Sequence, residues 1–210
     1  MNFKKIFLNH CNKESLEMNN NQIEIAKLIN KFYKTNFNYN IFLNFFFKKK
    51  NKLGFYLHGD VGVGKTMILN LFYDNFKQSK QRFHFNEFMI NFHNFVFQNN
   101  GDKKENIIDK FVSKLKKKYK LIYFDEFQVT NIVDAMILGN LFKKIFNEKI
   151  KVIFTSNIKI NDLYKEGLQR DQFLKFIKIM SEMCYEEKLE IKEDYRKTKI
   201  NKNKFYFFPL

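Results

Sequence analysis

His58–Thr66 reads HGDVGVGKT and holds three of the seven glycines in a chain of 210 residues. Within it, Gly59-Asp60-Val61-Gly62-Val63-Gly64-Lys65-Thr66 matches the pattern G-x-x-x-x-G-K-[ST]. The flanks match as well. Phe55-Tyr56-Leu57 is a short apolar run that fits a buried parallel strand, and MILNLFYDNF after Thr66 fits a helix. In such a strand–loop–helix, glycine lets the backbone wrap closely around a phosphate with successive N–H groups turned inward. The helix that follows adds its positive N-terminal end. Lys65 is then expected to reach the β- and γ-phosphates, and the Thr66 hydroxyl to bind Mg²⁺.

A second candidate site lies further along. Leu121-Ile122-Tyr123-Phe124 reads as a strand with Asp125-Glu126 at its carboxyl end. In open α/β sheets ligands bind beyond that end of the strands. Asp125 is therefore expected to hold Mg²⁺ through water, and Glu126 to orient and polarise an attacking water. Val152-Ile153-Phe154 reads as another strand, ending in Thr155-Ser156-Asn157. Asn157 is a candidate to touch the γ-phosphate or that water; its bland alternative is a turn asparagine. Arg170, in GLQRDQF, is a candidate to neutralise charge on the leaving phosphoryl group, in cis or for a neighbour. The alternative there is an ordinary surface arginine.

The rest of the chain supplies a frame for these residues. Residues 1–20 are polar and asparagine-rich and read as a loose lead-in. Gln22–Tyr33 shows helical spacing, with Ile23, Ala26 and Ile29 on one face. Residues 40–48 are apolar and favour a helix, and Lys48–Lys52 is a charge run suited to a solvated turn. Arg82–Phe85 reads as a second strand, and residues 86–98 return to helical spacing. Gly101-Asp102 breaks the chain, and an amphipathic helix follows from Ile107 to Leu115. A long helix spans about 131–147, and Asp171 is expected to cap a helix carrying Phe173, Phe176, Ile177 and Met180. Leu189–Ile191 and Phe205–Phe208 read as late strands. Strands alternating with helices predict an α/β fold, a central parallel sheet with helices on both faces. The division is an N-terminal lead-in over 1–50 and the core over 51–210.

Composition bounds the remaining classes. The net charge of +16 would suit nucleic acid or an anionic membrane. Yet there are 28 phenylalanines, one proline and no tryptophan, amid abundant lysine and asparagine. That is the pattern of drift toward residues with AT-rich codons, and we read the charge as drift rather than a nucleic-acid footprint. Arginine is scarce: only Arg82, Arg170 and Arg196. Two cysteines outside any CxxC spacing argue against a zinc site or disulfide framework. No window approaches the roughly 20 apolar residues that span a bilayer. The expected location is cytoplasmic.

Several stretches together resemble the ZapE / lactation-elevated AAA+ ATPases. GFYLHGDVGVGKTMI is similar to their phosphate loop, RFHFNEFMINFH (82–93) to their segment after the second strand, and LIYFDEFQVTNIVDAMIL to their second motif. TSNIKINDLYKEGLQRDQFLKFI (155–177) resembles their sensor and arginine-finger region, and EDYR (193–196) a late motif. The matches run from about residue 54 to 196 in family order, and all three arginines fall inside them. The resemblance implies a three-layer P-loop AAA+ core that binds ATP and Mg²⁺. It implies Asp125 and Glu126 as the Walker B pair, Asn157 as sensor 1, and Arg170 as a finger reaching a neighbour's ATP in a homo-oligomeric ring. It also implies work on a protein partner: bacterial members are linked to cell division and the division ring protein FtsZ, mitochondrial ones to quality control at the inner membrane. The drift favours the bacterial setting, with a place at the division site. Asn131 stands where members commonly have an acid. Members also continue into a helical lid bearing sensor 2, and residues 197–210 are too few to build one, so the lid is expected to be missing. Two alternatives to a partner-remodelling ATPase stay open: a nucleic-acid-associated, helicase-loader-like protein, and a non-catalytic nucleotide-binding remnant.

Overall fold

The computed structural model describes residues 1–17, 19–37, 51–99 and 106–190. Among them five strands form one sheet: β1 (Gly54–His58), β2 (Lys80–His84), β3 (Leu121–Asp125), β4 (Lys151–Ser156) and β5 (Cys184–Lys188). Every pairing is parallel, in the order β2-β3-β4-β1-β5. The helices are α1 (Phe3–Lys13), α2 (Asn20–Phe37), α3 (Lys65–Asn75), α4 (Phe85–Gln98), α5 (Ile107–Lys118), α6 (Ile132–Asn147) and α7 (Arg170–Met183).

The pleat divides the core in two. Tyr56, Ile122, Phe124, Val152 and Phe154 face one way and pack with α4, α5, α6 and α7. Their neighbours Phe55, Leu57, Leu121, Tyr123 and Ile153 face the other way and pack with α1, α2 and α3. Alternate residues of each strand thus serve opposite layers, which is why β1 and β3 read as unbroken apolar runs. The outcome is the expected α/β fold, a central parallel sheet between two layers of helices.

Three expectations change. Residues 1–20 are not a loose lead-in. Phe3, Phe7 and Cys11 recur every four residues and are buried as the inner stripe of α1. Asn2 caps that helix by accepting from the Lys5 N–H, and Asn30 of α2 accepts from the Phe3 N–H at 2.9 Å. Asp171 is not the cap of α7. Gln169, in the left-handed region at φ 56°, takes that place, and Asp171 sits inside the first turn. Leu189 and Glu190, the described part of the expected late strand Leu189–Ile191, lie just past a strand that ends before them. That strand is β5, Cys184–Lys188, whose charged residues CYEEK suit an edge position beside β1. The expected features at 40–48, Gly101-Asp102, EDYR (193–196) and 205–208 lie outside the described residues.

Asn131 caps α6, its side chain accepting from the Val133 N–H at 2.8 Å. Asparagine and aspartate serve equally well as N-caps, so the departure from an acid costs the helix little.

Candidate functional site

The carboxyl ends of β1, β3 and β4 bring the expected residues together. β1 ends at His58, and the backbone then turns through Gly59, Gly62 and Gly64 at φ 149°, 92° and 94°. These are left-handed or extended-left conformations that side chains rarely adopt. They swing the loop of Asp60, Val61 and Val63 round so that α3 starts at Lys65, with the Ile68 N–H bonded to the Gly64 carbonyl. The loop is therefore followed by a helix N-terminus, as anion binding requires.

Lys65 is folded into this loop and buried. Its ammonium donates to the Gly59 carbonyl at 2.8 Å, the Asp60 carbonyl at 2.7 Å and the Asn157 Oδ1 at 3.0 Å. Burial lowers its pKa from the ordinary lysine value, against the opposing charges of Asp60 and Asp125. Lys65 and Asn157, 92 residues apart, thus meet directly.

Asp125, the last residue of β3, is 2% exposed. Burial pushes its carboxyl up. Hydrogen bonds from Thr155 and Arg82, with the Arg82 charge, outweigh that and hold it below the usual range. Its Oδ1 accepts from the Tyr123 hydroxyl at 3.2 Å and from Thr155, and lies 3.5 Å from the Thr66 hydroxyl. Burial, helped by the Asp125 charge, pushes the Tyr123 phenol far up, so it stays a donor. Oδ2 is paired with Arg82. A hydroxyl and a carboxylate oxygen side by side are a hard-oxygen donor set that suits Mg²⁺, which takes one or two protein oxygens and completes its shell with phosphates and water. Thr66 and Asp125 are the residues that would hold it.

Glu126 is exposed at the site's rim and has φ 54°, a strained value for a glutamate. The strain is fixed by the neighbouring strand: its N–H donates to Thr155 Oγ1 at 3.1 Å, and the Phe127 N–H donates to the Thr155 carbonyl at 2.7 Å. The Ser156 hydroxyl donates to the Phe127 carbonyl at 2.8 Å and accepts from the Ile158 N–H at 3.0 Å, which steadies Asn157 between them.

Arg170 is not gathered with these groups. It begins α7, and its guanidinium donates to the carbonyls of Leu163 at 3.0 Å and Asn161 at 2.8 Å. Two functional residues escaped the sequence reading. Thr155 was noted only as a strand end, yet its hydroxyl links Asp125 to the Glu126 backbone. Arg82 reads from the sequence as a scarce arginine that opens the second strand and the segment RFHFNEFMINFH, with no role attached, yet it reaches Asp125 from β2. In neither case does the surrounding stretch say which residue the side chain meets. The signal is the pairing of β3 with β2 and β4, which linear spacing does not carry.

Residues 6–210 match the family described as AFG1-like ATPase. Cell division protein ZapE of Escherichia coli is 38% identical over 160 residues, covering 75% of this chain and 42% of that protein. Lactation elevated protein 1 homolog B of Danio rerio is 38% identical over 153 residues, covering 68% of this chain and 30% of that protein. The chain thus spans less than half the length of these relatives. AMPPCP-bound DnaA from Aquifex aeolicus superposes with a TM-score of 0.53 over 90% of this chain and 54% of that one, at 14% identity, a likeness of fold alone.

Proposed function

The chain belongs to the AFG1-like ATPase family, and on that premise we propose that it binds ATP with Mg²⁺, hydrolyses it, and uses the cycle to remodel a protein partner in bacterial cell division. The observation that carries the chemistry is the meeting of Lys65, Thr66, Asp125 and Asn157 at the ends of three adjacent strands. Lys65 exchanges the carbonyls of Gly59 and Asp60 for the β- and γ-phosphates. The backbone N–H groups of Asp60–Thr66 take the remaining phosphate oxygens. Thr66 and Asp125 would hold Mg²⁺, which would supply positive charge against that building on the phosphates. Glu126 polarises the attacking water from the rim, and Asn157 holds it or the γ-phosphate in line. Arg170 acts at a neighbouring subunit's nucleotide in a ring.

The division role rests on likeness to a protein named for cell division. FtsZ as the partner and a cytoplasmic place at the division site belong to the same reading and rest on the resemblance of the sequence motifs. The fold likeness to DnaA carries no argument for a nucleic-acid role. No described helix is long and apolar enough to cross a membrane.

The test separates binding from turnover. Lys65→Ala should abolish binding of a fluorescent ATP analogue, and Glu126→Gln should keep binding while turnover falls by about 10²-fold or more. Unchanged binding in Lys65→Ala would defeat the proposal at its first step.

A further inference from the structure

Asp125 offers its two oxygens to different neighbours. Oδ1 faces Thr66 and the phosphate loop. Oδ2 is paired with Arg82, which comes from edge strand β2. The register sets Arg82 beside Tyr123 and His84 beside Asp125, so Arg82 and Asp125 share one face of the sheet, offset by two positions. To reach the carboxylate, Arg82 runs forward along its strand with its guanidinium carbon 5.3 Å from the centre of the Tyr123 ring.

The pair is unequal. The Asp125 side chain is 3% exposed and that of Arg82 is 36% exposed. The carboxylate is fixed by Thr155 and Tyr123 as well. Arg82 is less well seated: its buried Nε has no hydrogen-bond partner among the described residues. An orphaned donor is a cost that a pair kept only for stability would not need to carry.

We propose that Arg82 is the resident cation of the site: it neutralises Asp125 while no divalent cation is bound and competes with that cation for the carboxylate, so that metal loading and release of Arg82 are coupled. The inference rests on the reading that Thr66 and Asp125 hold the divalent cation. A buried carboxylate without a counter-charge is strongly disfavoured. Arg82 fills that role between loadings, and its half-open side chain lets it withdraw. Arg82 is a positioning residue here, since it acts on the metal through Asp125.

The experiment uses the whole chain, a non-hydrolysable ATP analogue at fixed concentration, and Mn²⁺ as the probe, with free Mn²⁺ read by electron paramagnetic resonance. Arg82→Gln removes the competitor, and half-saturation should fall to about one fifth of the wild-type Mn²⁺ concentration or lower, within the usual range of coupling between sites. Arg82→Lys keeps the charge and should stay near wild type. Thermal melts supply the second reading. Arg82→Gln should lose more stability without Mn²⁺–nucleotide than with it. An Arg82→Gln half-saturation equal to or higher than wild type, or an equal loss of stability in both conditions, would leave the pair a structural contact and overturn the inference. Wild-type protein that takes up no Mn²⁺ with nucleotide would overturn the parent reading and this inference with it.

Discussion

At the scale of single residues, the first glycine of the proposed phosphate loop also answers to a close backbone neighbour. Gly59 lies where the chain leaving β5 crosses the end of β1, and the Leu189 N–H donates to the His58 carbonyl at 2.8 Å. A Cβ on Gly59 would stand 2.2 Å from the Leu189 carbonyl oxygen, at a φ of 149°. That is backbone, which cannot swing aside. Gly59→Ala should therefore destabilise the protein by about 2 kcal/mol or more, from strain and clash together. Gly139 is the contrast. It sits within α6, and an added Cβ would meet its nearest neighbours at 3.8 and 3.9 Å, ordinary contact. Gly139→Ala should stabilise by about 0.5–1 kcal/mol, since alanine loses less freedom in a helix. Urea denaturation of both variants checks the pair; a Gly59→Ala protein as stable as wild type would mean that the β5 exit yields easily.

At the scale of elements, α1 makes the sharpest claim. Phe3 meets Phe72 of α3 edge-on at 5.5 Å, and Phe7 is fully buried beside it in the same core layer. Phe7→Ala should cost about 3–5 kcal/mol, the usual range for emptying a buried phenylalanine site. A loose N-terminal segment would show almost no change, so chemical denaturation decides between the two. The same helix shows what the sequence could and could not tell. β1, β3, β4 and the helices after them were legible because each is an apolar run or a 3.6-residue stripe of its own. The glycine-rich loop and Asp125-Glu126 were legible in their placement for a related reason: each is a run of adjacent residues directly after an apolar strand. Three buried residues four apart, amid asparagine and lysine, are a thin stripe, and α1 was hidden behind its polar surroundings. CYEEK hid β5, because an edge strand can be charged wherever it turns from the core. Arg82 and Thr155 were hidden for another cause. They act on Asp125 through strand pairing, which depends on the order β2-β3-β4 and not on position along the chain.

At the scale of the whole molecule, the open question is whether one chain completes its own site. Lys65, Thr66, Asp125 and Asn157 are gathered within the subunit, while Arg170 is held by carbonyls of its own 161–163 turn. That turn braces the guanidinium at the start of α7, a fixed position from which it can serve a neighbour. If Arg170 is a finger acting across a boundary, Arg170→Ala should lower turnover by about 10³-fold or more while leaving nucleotide binding intact. Loss of the two carbonyl contacts could lower turnover too, so the rate alone is not enough. Mixing resolves it. Arg170→Ala protomers keep a working phosphate loop but supply no finger, and Lys65→Ala protomers supply a finger but cannot hold the phosphates. Each is inactive by itself. In a mixed assembly, some boundaries place an intact loop beside an intact arginine, and those boundaries recover turnover. Activity of the mixture above the sum of its parts, rising with protein concentration, is the expected result. A mixture no more active than its components would confine Arg170 to bracing its own turn and would return the missing positive charge to a group within the subunit.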